Sequence, residues 1–450
     1  MEPLKGNTAG ALEPDCVSTK RRRIAELAKR NPETAFTSLA HHIDLDWLKC
    51  AYRQTRKTGS PGVDAQTAAD YEANLEENLR SLLDRAKSGR YKAPPVKRVH
   101  IPKGKGDATR PIGIPTFEDK VLQRAVVMVL EAIYEQDFLD CSYGFRPGRS
   151  AHQALEAIWQ QQKDLRVGWI VEADIQGFFD TLDHARLREL LKLRVRDGVL
   201  LRLISKWLHA GVLEGNRLTY PEAGTPQGGV ISPLLANIYL HYALDVWVER
   251  MIWPWAKGRV FLVRYADDFV IGFSNQQEAQ KVLEVLPRRF AKYGLTLHPK
   301  KTRLVNFRRP PGQSPPENGR PETFEFLGLT HYWARSRRGY WTVKRKTAPS
   351  RFSRATQSLT QWCRRNRHQK IRWQHRQLVQ KLRGHYGYYG ITGNARALER
   401  FWEATKRIWR TWLSRRSDRP MNWARFVRLM QHYPLPRPVV VHSTWNVAKP

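Results

Sequence analysis

Apolar positions along the chain repeat with two different periods. After a Gly59-Ser60-Pro61-Gly62 turn, Tyr71, Leu75, Leu79, Leu82 and Leu83 recur at helical spacing and predict one amphipathic face. Thr116 stands where an N-cap belongs, ahead of a stripe formed by Val121, Leu122, Ala125, Val126, Val129, Leu130 and Ile133. That stripe predicts a core helix. Two later stretches, Phe352 to Tyr386 and Asn394 to Leu413, are again helical in period, with Leu398, Phe401, Trp402, Ile408, Trp409 and Trp412 on one face.

Elsewhere the period is that of strands. Lys97 to Ile101 and Arg110 to Pro115 flank the turn Lys103-Gly104-Lys105-Gly106-Asp107 and predict a basic hairpin. Val167 to Ala173 is an apolar run of strand length that ends at Asp174. Arg259 to Arg264 and Phe269 to Phe273 are β-rich runs separated by Tyr265-Ala266-Asp267-Asp268, the pattern of a tight hairpin with acids at its tip. Residues 1 to 19 read as a flexible tail, followed by a basic helical stretch from Lys20 to Arg30. Arg308 to Glu322 holds five prolines and two glycines and reads as an exposed connector.

Charge changes the picture most. The 450 residues carry 77 Lys and Arg against 42 Asp and Glu, a formal net charge of +35. From Arg335 to Pro450 there are 28 Lys and Arg against 3 acids, so the excess concentrates in the C-terminal quarter. Such a field attracts polyanions, nucleic acid foremost. No stretch is long and apolar enough to span a bilayer. The polar Met1 to Lys20 segment argues against export, so a cytoplasmic setting is expected. Cys16, Cys50, Cys141 and Cys363 lie far apart with no Cys-x-x-Cys pair, which excludes a zinc ribbon and a disulfide framework.

The chemistry rests on carboxylates. A strand that ends in Asp174 beside a hairpin tipped by Asp267-Asp268 would gather three acids in one small volume. Uncompensated they repel; with hard divalent cations they form a site for nucleotidyl transfer, in which two metal ions serve the attacking and leaving oxygens.

With these residues in view, Tyr265-Ala266-Asp267-Asp268 resembles the signature box of reverse transcriptases, and further blocks follow in the same order as in the bacterial group II intron-encoded reverse transcriptase/maturase family. Ile101-Pro102-Lys103 and Arg110-Pro111-Ile112-Gly113-Ile114-Pro115 are similar to the finger motif of that family, which implies that Lys103 and Arg110 grip the incoming triphosphate. Ser142-Tyr143-Gly144-Phe145-Arg146-Pro147-Gly148-Arg149-Ser150 resembles the next block. Asp174 carries over as a metal ligand, with the Ile175 carbonyl as a second contact, and Phe179 as a steric gate that favours dNTPs. Gly224-Thr225-Pro226-Gln227-Gly228-Gly229 is similar to the motif in which Gln227 contacts the template-nucleotide pair, and it opens a helix at Ser232. His298-Pro299-Lys300-Lys301-Thr302 resembles the Lys-Thr motif, with Lys301 as general acid and Lys300 the alternative. Phe326-Leu327-Gly328-Leu329 resembles the primer-grip turn, and Leu382 to Tyr389 with the helix from Asn394 the maturase region. Nothing resembles the HNH endonuclease that many relatives append, so a mobile form would need another source of primer.

The resemblance implies an α+β right-hand polymerase. Its expected parts are a basic tail (1–30), fingers (31–166), a palm of antiparallel sheet plus helices (167–334), an α-helical thumb or maturase domain (335–415) and a basic extension (416–450). The expected activity extends a DNA or RNA primer on an RNA template with dNTPs, using two Mg²⁺ ions or Mn²⁺ in their place. The chain's own intron RNA is an expected partner, a membrane is not, and oligomeric state is not legible. Three rivals stand beside it: the same fold recruited to phage defence or DNA repair, a metal-dependent nuclease, and a non-catalytic RNA-binding splicing factor. Lys103 and Arg110 argue against the nuclease, which needs no triphosphate grip.

Overall fold

The computed structural model describes residues 15–102, 109–165, 167–215, 217–220, 223–225, 228–311, 321–336, 338–416 and 420–442. Lys103, Gln227, most of the 308–322 connector and the first 14 residues lie outside that set. Helices and largely antiparallel sheets make an α+β polymerase-like fold in two compact units, one of residues 1–154 and 173–304, the other of residues 155–172 and 305–450.

In the first unit the helix Phe117–Asp137 is the organising element. Thr116 caps it by accepting from the Asp119 amide, and Val121, Leu122, Ala125, Val126, Val129, Leu130 and Ile133 are all fully buried. Burying seven such side chains contributes on the order of 1.5–3 kcal/mol for each of the larger ones, before entropy is counted. The Trp47 indole locks a second helix, Leu45–Gln54, onto this one by donating to the Ala125 carbonyl across 2.9 Å. The first described helix, Asp15–Arg30, begins earlier than the expected tail would allow. Val17, Ile24 and Ala28 fall on one face and are buried, so the apolar stripe, not the onset of basic residues, sets its start.

The basic hairpin forms as expected, with Val96–Pro102 antiparallel to Thr109–Ile114 and Ile101 opposite Arg110. It belongs to a four-stranded sheet that continues through Val212–Glu214 and Arg217–Thr219. The second hairpin joins Val260–Tyr265 to Asp268–Phe273, and Tyr265 pairs with Asp268. The loop is therefore Ala266-Asp267, and Asp268 is the first strand residue, not part of the tip. Behind it Phe269 stacks on Phe290 of the helix Gln276–Ala291 at 5.8 Å.

In the second unit a three-stranded sheet runs in the order Trp341–Thr347, Leu329–Arg335, Phe324–Phe326. The expected α-helical region from Arg335 thus starts in a β-hairpin, because Trp341-Thr342-Val343 favours strand and the first helix waits for Pro349 at its N-terminus. Helices Pro349–Arg365, Ile371–Tyr389, Ala395–Ser414 and Trp423–His432 follow. The run from Phe352 to Tyr386 is thus two helices, broken at residues 366–370. Their shared core includes Leu378, Leu382, Leu398, Trp402, Trp409 and Phe426. Among the described residues no helix is long and apolar enough to cross a membrane.

Candidate functional site

Asp174 follows a strand, and its position is set by backbone bonds. Its carbonyl accepts from the His298 amide, Ile175 bridges Leu297, and the Gln176 amide donates to the Thr296 carbonyl. This contact brings the segment after Leu297 alongside, and Lys301 then reaches the acid. The Lys301 ammonium donates to Asp174 Oδ2 at 2.8 Å. The equivalent contact is not made by Lys300, whose amide donates to His298 Nδ1.

Asp267 sits in the two-residue loop of the hairpin and is half-buried, while Asp268 is exposed. Asp267 lies in the turn and Asp268 begins the strand, so the two acids meet different surroundings. Burial pushes the Asp267 carboxyl up from its ordinary value, and the Asp174 carboxylate pushes it further, whereas Arg110 and Lys301 pull it down. Three of the residues singled out from sequence, Asp174, Arg110 and Lys301, therefore act on a fourth, Asp267, in this unit.

Local contacts hold the other motif segments. Phe179 is half-buried in the short helix Phe178–Thr181, while Phe178 is core. The Phe179 carbonyl accepts from the Thr225 amide, and the Leu182 carbonyl from the Gly224 amide. A Cβ on Gly224 would stand 2.7 Å from the Phe179 carbonyl oxygen, so only glycine permits this packing. A Cβ on Gly228 would meet the Gly113 carbonyl oxygen at 2.4 Å, so the segment after Gln227 crosses the strand that carries Arg110. In the second unit Leu327 and Gly328 both have positive φ, 51° and 76°, the requirement of a tight two-residue hairpin turn.

Sequence reasoning missed Arg264. It is wholly buried and pairs with an equally buried Asp245 through Nε to Oδ1 at 2.7 Å and Nη2 to Oδ2 at 2.5 Å. An arginine inside the apolar run Val260-Phe261-Leu262-Val263 was the available signal, since a charge there needs a partner. Arg146 was read only as part of a motif. Its guanidinium binds Glu135 and the carbonyls of Leu139 and Ser142, so it braces the fold.

Among the described residues, no three His, Cys, Asp or Glu side chains are gathered closely enough to hold a metal ion as they stand. The donor chemistry still fits a hard divalent cation. Oxygen ligands suit it, and burial, with Asp174 adding to it, raises the pKa of Asp267, so a bound cation would favour its charged form.

A hairpin carboxylate influenced by a second acid, a lysine and an arginine is a donor set suited to phosphate and divalent-cation chemistry. Comparison with known proteins gives the family. The reverse transcriptase (RNA-dependent DNA polymerase) model matches residues 101–331, and the chain belongs to the reverse transcriptase family. It is 41% identical over 233 residues to the group II intron-encoded protein LtrA of Lactococcus lactis subsp. cremoris, covering 51% of this chain. That match spans 38% of the length of LtrA. Protein YkfC of Escherichia coli K12 is 36% identical over 299 residues, covering 58% of this chain and 78% of that protein. A telomerase reverse transcriptase of Oryzias latipes is 27% identical over 197 residues, covering 41% of this chain and 17% of that one.

Proposed function

We propose that the protein extends a DNA or RNA primer on an RNA template with dNTPs, by two-metal nucleotidyl transfer. Membership of the family carries a dependence on divalent metal, and Mg²⁺ is the ion we assign. Asp174, Asp267, Asp268 and the Ile175 carbonyl would hold it. When bound, two such ions supply activation of the primer 3′ oxygen and neutralise charge on the triphosphate.

The residues of the chain do the rest. Arg110, with Lys103, grips the triphosphate, and a guanidinium can do so through paired bonds. Phe179 serves as a steric gate against a ribose 2′ hydroxyl, and Gln227 contacts the template-nucleotide pair. Lys301 leaves Asp174 to protonate the departing pyrophosphate as general acid. We assign fingers to residues 31–166, palm to 167–334 and thumb to 335–415.

The single observation that carries this proposal is the 2.8 Å bond from the Lys301 ammonium to Asp174, two residues 127 positions apart that both act on the hairpin carboxylate Asp267. It is tested by primer extension on an RNA template, comparing the wild type with Asp267→Asn plus Asp268→Asn. Extension that vanishes in the variant supports the polymerase and its metal site together. If neither protein extends a primer while both bind RNA tightly, the enzyme is abandoned for an RNA-binding splicing factor.

A second role is favoured by the basic C-terminal region. Arg410 lies over the exposed Trp423 and Arg415 over the half-buried Trp412, so cations and rings share the helical faces. Such faces grip RNA backbone and stack on bases. Together with the likeness to an intron-encoded protein, this supports binding of the chain's own group II intron RNA as a maturase.

A further inference from the structure

Ala266 has φ +56°, a left-handed conformation that a residue with a Cβ adopts only under constraint. It is the first loop residue of the hairpin that presents Asp267 and Asp268. Something must hold it there, and the constraint comes from two sides.

On one side is Arg264. Besides its two bonds to Asp245, Nη1 donates to Asn237 Oδ1 at 2.9 Å and to the Ala266 carbonyl at 3.1 Å. Asp245 ends a π-helical turn, His241–Asp245, that continues the helix Ser232–Leu240, a local widening often found beside functional sites. On the other side is the segment from Cys141 to Gly144. The Arg264 amide donates to the Cys141 carbonyl and the Tyr143 amide to the Arg264 carbonyl, while Asn237 Nδ2 donates to the Gly144 carbonyl at 2.7 Å. A Cβ on Gly144 would stand 2.3 Å from the Ala266 nitrogen, so the segment presses against the turn itself.

A buried ion pair alone is weak evidence of stabilisation. The bond from its arginine to the carbonyl of a strained turn is what a purely structural pair would not need. We propose that Arg264 is a positioning residue, whose guanidinium, fixed by Asp245 and Asn237, holds the Ala266 turn so that Asp267 and Asp268 are aimed for metal binding. This rests on the polymerase reading of those two acids.

The test removes the pair without leaving a buried charge. Asp245→Leu with Arg264→Met replaces both partners by apolar groups, a change that folds tolerate well. Cooperative melting checks the fold, and primer extension gives kcat and the dNTP KM separately. We expect kcat to fall about 100-fold, the effect of a displacement near 1 Å in a catalytic group, with KM changed far less. Mn²⁺ binding to the unreacted protein, followed by electron paramagnetic resonance, should weaken in parallel. Adding Ala266→Gly, which lowers the cost of a left-handed turn, should restore about tenfold of the lost kcat. If the double variant does not fold, Arg264→Lys keeps the charge on Asp245 but loses the fork that reaches Ala266, and the same loss is expected. Wild-type kcat in a folded double variant or in Arg264→Lys overturns the proposal, as does a loss that Ala266→Gly fails to relieve. If the wild type itself extends no primer, the polymerase reading fails separately, and unchanged Mn²⁺ affinity in the variant then overturns the positioning role.

Discussion

The Lys301 ammonium donates to Oδ2 of Asp174 over 2.8 Å, although 127 residues separate the two. Asp174 is 25% exposed and Lys301 59%, so the pair sits at the rim of the site, where a lysine can exchange partners. Exposed pairs of this kind add little to stability, about 0–1 kcal/mol. The contact therefore matters for where it holds the ammonium.

If Lys301 is the general acid, Lys301→Ala lowers the single-turnover rate by roughly 10²-fold or more, within the range for loss of a positioned proton donor. Lys300→Ala leaves the rate within about threefold, as expected for a surface lysine. Rapid-quench primer extension on both variants decides, and the reverse ranking would move the role to Lys300.

Phe179→Ala removes the ring proposed to strike a 2′ hydroxyl. Incorporation of rNTPs should rise by about tenfold or more relative to dNTPs, while kcat/KM for dNTPs falls less. The ratio of the two kcat/KM values is the measurement. An unchanged ratio would return Phe179 to the core beside Phe178.

Gly228→Ala places a Cβ 2.4 Å from the Gly113 carbonyl oxygen at a residue whose φ is +121°. The loop must lift off the Arg110 strand, at a cost of about 1–3 kcal/mol. Urea unfolding should register that loss, and the KM for dNTPs should rise because the Arg110 strand shifts away from the segment at Gly228.

His331 is wholly buried against Phe324, with ring centroids 4.5 Å apart, and neither ring nitrogen has a hydrogen-bond partner among the described residues. Burial pulls its pKa down to about 3, and Arg345 adds to the shift. The unfolded chain takes up a proton near pH 6.5 that the folded one refuses, so stability is lost as pH falls from about 6.5 toward 3. His331→Phe keeps the stack, removes two unsatisfied polar atoms and should stabilise by about 1–3 kcal/mol. Thermal melting between pH 4 and 7 should show a shallower acid slope in the variant; an identical slope would refute this account.

Local pattern was enough for much of the fold. The Thr116 cap, the stripe on Phe117–Asp137, the basic hairpin and the Val260–Phe273 hairpin each depend on residues near one another in the chain, and periodicity reports such elements directly. Where helical period and strand propensity compete, it failed. The region after Arg335 carries basic residues throughout, and only pairing of Leu329–Arg335 with Trp341–Thr347 makes it β. Likewise the helix at Asp15 depends on burial of Val17, which basic composition conceals.

By itself the sequence determined the chemical inventory: which carboxylates, lysines, arginines and glycines exist, in what order, and on which local elements. That inventory marked Asp174, Asp267 and Asp268, because apolar flanks and turn residues are short-range signals, whereas Arg110 and Lys301 were marked only by the resemblance of their motifs to those of reverse transcriptases. Only the tertiary structure decided that Lys301 meets Asp174, that Asp267 is half-buried while Asp268 is exposed, and that Arg264 ties the Ala266 turn to Asp245 and Asn237. Those relations join residues far apart in sequence, and long-range packing and the local dielectric arise only once the chain has closed on itself.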